Sequence, residues 1–413
     1  MSGISITAPQ WVGILVGFTI GGLAEAWGIA NPESIIRLTR WIDRLFVTCI
    51  SLGGAFAVLL LYGLYALGID MHFGLKPLYF YGVGLGGILF GIGLAISGYF
   101  PGSEWMALGE GRRDALFAIP AGLLGAASWT ALYQTSAGQW LVNQANVGSV
   151  IITGQTIAKT SPITLFLIAI PYALVLLAIA YFLPRFRNTH HSCLRAIIRG
   201  EDGPAEKTPE VQAMREDTTA YLLEGSIARK GSKAEHFARA MSSEPNVYSR
   251  AMLLIAILVG FAVVMGIMLH QIFGESTTYS WIIAVLIMPT YKYSIGVLSH
   301  IGWEPFSDIG TFLGAFFSAV IFTKRFTAFR KVIPPSWRNR FGNTEWKRAM
   351  GVFIGSYLML FGARMADGCA SGHILSGVVQ MAASGLFFGV VVMISGVITA
   401  KFVYGNVSEK VNP

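Results

Sequence analysis

Two short glycine-rich segments, each placed between long apolar stretches, are the parts of this sequence best suited to chemistry. They are Ser97–Ser103 (SGYFPGS) and Asp367–His373 (DGCASGH). Neither can continue as a regular helix, because glycine admits tight backbone conformations and Pro101 has no backbone N–H donor. N–H groups left free where a helix restarts can bind an anion with the help of the helix dipole. Two such breaks facing each other would form a small anion filter, and the alternative is two ordinary loops at a membrane surface.

The side chains of the second segment favour a sulfur-bearing solute. Cys369 carries a soft, polarisable thiol with a weak S–H donor, although a lone buried cysteine is usually just a small hydrophobic residue. Ser371 and His373 add donors beside it, and His373 is equally compatible with a structural role. Arg364 and Asp367 are three residues apart, so they can pair on one helix face and brace the break. The candidate path residues of both segments are Gly98, Phe100, Pro101, Gly102, Ser103, Gly368, Cys369, Ser371, Gly372 and His373.

The composition shows what kind of element must position these segments. Of 413 residues, 54% are hydrophobic and only 13% are charged, with a mean hydropathy of +0.59. A soluble domain has about 25% charged residues, so the composition excludes a soluble enzyme, a disordered chain and a disulfide scaffold. Three scattered cysteines provide no zinc or haem motif, and no metal or cofactor is expected. The formal charge of +8 lies in loops, so it indicates membrane orientation rather than binding to nucleic acid.

Ten apolar stretches predict an all-α polytopic membrane protein, because about 20 apolar residues in a helix cross a bilayer. Ile374–Phe402 is too long for one span and is predicted to divide into a short helix and a full one. Trp281–Ser299 contains Pro289, and Ile309–Phe322 is short, which is typical of broken or re-entrant helices. The other stretches are Trp11–Ile29, Asp43–Leu67, Tyr81–Tyr99, Asp114–Tyr133, Thr160–Leu183, Met252–Ile272 and Ala349–Met365.

Charge divides the chain into a first transmembrane half (residues 1–184), a linker (185–250) and a second transmembrane half (251–413). The linker holds eleven Lys or Arg and nine acidic residues, and a surface helix is predicted around Pro209–Leu223. Its basic excess places it in the cytoplasm, together with the basic loop Lys324–Arg348. Counting five spans back from the linker puts the N-terminus outside. Counting forward requires one segment that enters and returns on the same side, and Pro289 makes Trp281–Ser299 the candidate.

The two halves also resemble each other. Ile14–Phe18 (ILVGF) recurs as Ile257–Phe261, and glycine pairs spaced four apart occur in the same order in both halves. The first half begins outside and the second inside, so the repeats would be inverted. Inverted repeats are common in transport proteins, with the solute site at their interface near the bilayer midplane.

The same residues carry a family resemblance. The segments Gly362–His373 (GARMADGCASGH), Gly98–Ser103 (GYFPGS) and Ala107–Ala115 (ALGEGRRDA) resemble the YeeE/YedE family of inner-membrane sulfur-transport proteins. The resemblance implies a helical protein with two inverted halves, half-membrane helices, and uptake of thiosulfate or a related species past cysteine thiols. Cys369 matches the cysteine of the family's second-half motif. Phe100 stands where the family typically has cysteine, which puts thiosulfate itself in doubt but not the architecture.

Two hypotheses remain open. The first is a permease or facilitator in the bacterial inner membrane for a small sulfur-containing anion; no P-loop is present, so a gradient or consumption of the solute would drive it. The second is an accessory or scaffold subunit of a sulfur- or selenium-handling membrane complex, whose linker could dock a soluble cytoplasmic sulfur carrier. A membrane-embedded enzyme is disfavoured, because the seven histidines form no intramembrane pair and no proteolytic arrangement lies within the spans.

Overall fold

The protein is a bundle of apolar helices. The computed structural model describes residues 4–41, 45–182, 184–185, 188–192, 220–221, 223–228, 230–236 and 245–405. Short 3₁₀ turns lie at Gln10–Val12 and Ile157–Lys159, and π-helical turns at Ser318–Phe322 and Ala370–Ser376. The α-helices of the first half are α1 (Gly13–Trp27), α2 (Pro32–Thr39), α3 (Leu45–Ala66), α4 (Phe80–Ser97), α5 (Pro101–Gly109), α6 (Ala115–Tyr133), α7 (Ser136–Asn143) and α8 (Pro162–Phe182). Those of the second half are α9 (Pro245–Leu269), α10 (Ser276–Leu286), α11 (Lys292–His300), α12 (Glu304–Phe317), α13 (Pro335–Phe341), α14 (Glu345–Met365), α15 (Gly377–Val379) and α16 (Ala383–Tyr404).

Strands are short and peripheral. Within the described ranges, β1 (Leu78–Tyr79) pairs antiparallel with β2 (Asn146–Gly148), and β3 (Pro184–Arg185) pairs with β4 (Asn188–Ser192). The core therefore consists of helix packing, as expected in lipid, where each helix satisfies its own backbone hydrogen bonds.

Six of the described helices are long and apolar enough to cross a membrane, or up to eight spans if each of two bent helix pairs counts as one. The second bent pair joins α14 to residues Ala370–Val379 at an angle of 62°. The predicted division of Ile374–Phe402 is confirmed, because a short helical segment ends at Val379 and α16 begins at Ala383. Trp281–Ser299 is also interrupted, with Pro289 between α10 and α11. At about 1.5 Å per residue, α10 covers about half of a bilayer's hydrocarbon core.

Glycine allows the long helices to approach closely. A Cβ on Gly17 or Gly21 of α1 would collide with backbone oxygens of α12. In the same way, a Cβ built on Gly86 of α4 would lie 2.5 Å from the carbonyl oxygen of Gly362 in α14. Glycine at these positions therefore serves close helix packing. The inverted relation of the two halves stays a prediction.

Buried charges cluster where α6 and α14 begin, which is the end predicted to be cytoplasmic. Arg348 donates to Asp114 at 2.9 and 3.0 Å, and Arg112 donates to Glu110 at 3.1 Å. Part of the linker docks at this end, because the Tyr221 hydroxyl donates to Asn31 Oδ1 at 2.8 Å. Of the surface helix predicted around Pro209–Leu223, all but residues 220, 221 and 223 lie outside the described residues.

Candidate functional site

The first glycine-rich segment breaks a helix, as the sequence predicts. α4 ends at Ser97, Gly98 has a φ of +75°, and α5 begins at Pro101. A side chain at Gly98 would be strained by that φ, and its Cβ would lie 2.7 Å from the Pro32 carbonyl oxygen. Ser103 caps the new helix, since its hydroxyl accepts from Phe100 N–H at 2.7 Å. The break therefore has a defined conformation that ends in a fresh helix N-terminus.

The second segment is also a break. α14 ends at Met365, Asp367 has a φ of +59°, and a π-helical turn begins at Ala370. Cys369 is fully buried, and its Sγ lies 3.0 Å from Ser371 Oγ. His373 has a structural environment, with Nε2 2.9 Å from the Ala366 carbonyl oxygen and its ring stacked on Phe388 at 4.6 Å.

The predicted Arg364–Asp367 pair is replaced by other contacts. Arg364 Nε and Nη2 donate to the Tyr293 hydroxyl at 2.9 and 2.6 Å, and Nη1 donates to Ser276 Oγ at 3.0 Å. Asp367 instead lies 3.6 Å from Lys76 Nζ. The helix α14 ends at Met365, so helical spacing no longer applies to the two side chains, although Asp367 still interacts electrostatically with Arg364.

Phe100 and Cys369 belong to one buried apolar cluster. Phe100 is 7% exposed, and its ring stacks on Phe46 with 5.0 Å between centroids. Phe90 lies next to it at 6.3 Å. The cluster includes Cys369, so the two breaks contribute side chains to the same apolar core.

A residue that the sequence reasoning did not select, Glu275, joins the two breaks. Its backbone N–H donates to Ser371 Oγ at 3.2 Å, and that hydroxyl is the neighbour of Cys369. Its carboxylate lies directly against Gly102, where a Cβ would overlap with the carboxylate oxygens. Gly102 is the second residue of α5, so a carboxyl group lies at the N-terminus of this short helix. The acidic residue just before an apolar helix was the signal available in the sequence.

Two further buried carboxylates lie nearby. Glu104 in the first turn of α5 accepts from the Tyr279 hydroxyl at 2.6 Å. Asp308 in α12 is 2% exposed and interacts electrostatically with Glu275 and Cys369. Asp308 also lines a cavity of about 650 Å³ whose other walls include Trp105. Among the residues the structure describes, no group of three or more His, Cys, Asp or Glu side chains is arranged to hold a metal ion.

Comparison with known proteins gives one match. A family model described as sulphur transport matches residues 37–399, a range that contains both breaks and the residues around Glu275. None of the curated proteins compared matches the chain.

Proposed function

Because the chain belongs to the sulphur-transport family, which is the YeeE/YedE family that its motifs resemble, we propose that it is a permease for a small sulfur-containing anion such as thiosulfate. Family membership and the polytopic helical fold support a sulfur-related transporter. The proposal adds the solute, the path between the two helix breaks, and a location in the inner membrane with the N-terminus outside. The observation that carries it is the contact chain from Cys369 through Ser371 and Glu275 to Gly102.

The chemistry of that contact chain suits an anion. The N-terminus of α5 offers backbone N–H groups and the positive end of a helix dipole. The Cys369 thiol and the Ser371 hydroxyl offer donors on the opposite side. A thiol is also a soft, polarisable partner for the terminal sulfur of thiosulfate. In this proposal the solute passes in a second conformation, in which Phe100 leaves the apolar cluster that it shares with Cys369.

Uptake by purified protein in liposomes tests the proposal. Native protein is expected to take up ³⁵S-labelled thiosulfate, and Cys369→Ala to be slower by about 10- to 100-fold, since a hydrogen bond to a charged group contributes about 1.5–3 kcal/mol. Cys49→Ala is the matched control, because Cys49 is also buried but belongs to another apolar cluster. Equal uptake by both variants would remove Cys369 from the path, and absence of uptake by the native protein would refute the permease.

Two observations favour the accessory subunit instead. The burial of Phe100 in the apolar cluster and the docked linker residue Tyr221 suit a static scaffold with a cytoplasmic binding surface for a soluble sulfur carrier. Purification from native membranes distinguishes the two functions. A stoichiometric partner together with inactive liposomes would support the scaffold, whereas a lone, transport-active protein would exclude it.

A further inference from the structure

Glu275 occupies the place where a transported anion would bind. The residue is 6% exposed, and its carboxylate lies on the Cα of Gly102, the second residue of α5. Only glycine leaves this space, because a Cβ at position 102 would overlap with both carboxylate oxygens. The carboxylate thus lies in a cradle at a helix N-terminus, the position that favours negative charge. When it is ionised, the Glu275 carboxylate is an anion fixed to the chain, in a position that would also suit a free anion.

The same residue is coupled to the thiol side of the path. Glu275 N–H donates to Ser371 Oγ, which is 3.0 Å from Cys369 Sγ. A movement of Glu275 away from Gly102 would therefore disturb both breaks together. A carboxylate and a dianion such as thiosulfate cannot occupy one low-dielectric site, because their repulsion is only weakly screened there.

Asp308 is an independent observation that points to a proton. Asp308 is 2% exposed; the Thr278 hydroxyl is its hydrogen-bond neighbour, and the acidic side chains of Glu275 and Glu304 lie within electrostatic range of it. A buried carboxylate that faces other acids is very costly to ionise, whereas a neutral acid is tolerated. Asp308 lies within electrostatic range of Glu275 and lines the cavity of about 650 Å³, which gives it an approach route.

On these grounds we infer that Glu275 is a carboxylate gate that couples anion uptake to proton binding. The inference rests on the proposed permease function. Glu275 closes the anion position while it is ionised. Neutral Asp308 passes its proton to Glu275 and takes another from solution, so that neither acid stays ionised, and the neutral Glu275 side chain leaves Gly102 as the solute arrives. Asp308 of α12 and Tyr279 of α10 interact electrostatically with Glu275. Asp308 also interacts with Glu304 and Cys369, Tyr279 also interacts with Glu104 of α5, and Arg364 donates to the adjacent Ser276.

The test uses the full chain in liposomes that contain a pH-sensitive dye. With the outside acidic, native protein is expected to take up thiosulfate several-fold faster than without a pH gradient, and to acidify the lumen when thiosulfate is added. Glu275→Gln is expected to show neither effect. Glu345→Gln is the matched control, since Glu345 lies at the start of α14, pairs with Arg113 at 2.7 Å and has a side chain that is 37% exposed. If uptake of thiosulfate by the native protein did not depend on the pH gradient, the inference would be overturned, whereas the proposed permease function would be unaffected.

Binding of thiosulfate in detergent separates failure of the gate from failure of transport. Glu275→Gln removes the tethered charge. The variant is expected to bind thiosulfate with a Kd lower than that of the native protein by roughly tenfold or more, because the helix terminus then lacks its resident anion. Calorimetric titration measures this without any transport. If Glu275→Gln does not fold, Glu275→Asp serves, because its shorter side chain withdraws the carboxylate from Gly102. An unchanged or weaker affinity in the folded variant would overturn the gate, even if the native protein transported nothing.

Discussion

Replacing Phe100 with cysteine would restore the residue that the family typically has at this break, and the structure gives the expected cost. The ring is 7% exposed, stacked on Phe46 at 5.0 Å and close to Phe90 at 6.3 Å. Truncation of a buried Phe to Ala costs about 3–5 kcal/mol, and each aromatic pair contributes about 0.5–1.5 kcal/mol beyond its area. The cysteine sulfur recovers part of the lost contact, so we expect Phe100→Cys to be destabilised by about 2–4 kcal/mol.

The same change is expected to raise uptake. It removes the ring that closes the cluster around Cys369 and places a second thiol at the N-terminus of α5. Phe90→Cys is the control, because Phe90 is fully buried in the same cluster but lies within α4 rather than at a break. Thermal unfolding in detergent and thiosulfate uptake in liposomes are measured on both variants. A similar loss of stability with faster uptake only in Phe100→Cys is expected.

Either of two results would refute this reasoning. If Phe100→Cys and Phe90→Cys changed uptake equally, the effect would come from a looser core and not from the break. If Phe100→Cys were as stable as the native protein, the packing of the ring against Phe46 would not hold the site closed.

Two further changes test the scaffold of the site. Arg348→Ala leaves buried Asp114 without its ion-pair partner, although the Tyr99 hydroxyl still donates to it, and is expected to lose about 3–5 kcal/mol of stability in detergent unfolding. Arg113→Ala, which breaks a more exposed pair, should lose less than about 1 kcal/mol. Equal losses would show that burial of the first pair does not matter. Gly362→Ala is expected to lower the yield of monodisperse protein severely, because its Cβ would collide with the facing helix, whereas Gly296→Ala, with open space around it, should be harmless. Normal yield of Gly362→Ala would contradict the close approach of the helices.

Much of the fold follows from the sequence because membrane spans have a strong local signal. Apolar length located the spans, and α4 begins and ends within two residues of the predicted stretch Tyr81–Tyr99. Glycine and proline located both breaks, since their backbone preferences act locally. The break at Pro289 was found for the same reason.

The site was harder to predict because its central contact is not local. Glu275 and Gly102 are far apart in sequence, and no spacing rule connects them. The Arg364–Asp367 pair was expected from helical spacing, but α14 ends between the two residues and the geometry no longer applies. A buried carboxylate beside an apolar helix carries a functional hint, yet only the packing identifies its partner.

The charges along the second break give a physical order to the path. Lys76 lies beside this break, with its Cε 3.6 Å from the Cβ position of Gly368, and its side chain is 24% exposed. A partly exposed cation attracts an anion from solution, and a thiol further inside can accept it with less desolvation than a second fixed charge would impose. In the proposed path Glu275 follows the thiol, and its ionised carboxylate would repel the anion until a proton neutralises it. With this order of cation, thiol and carboxylate, the anion is attracted at the entrance and released in the interior. A path lined only by cations would hold the anion instead of releasing it.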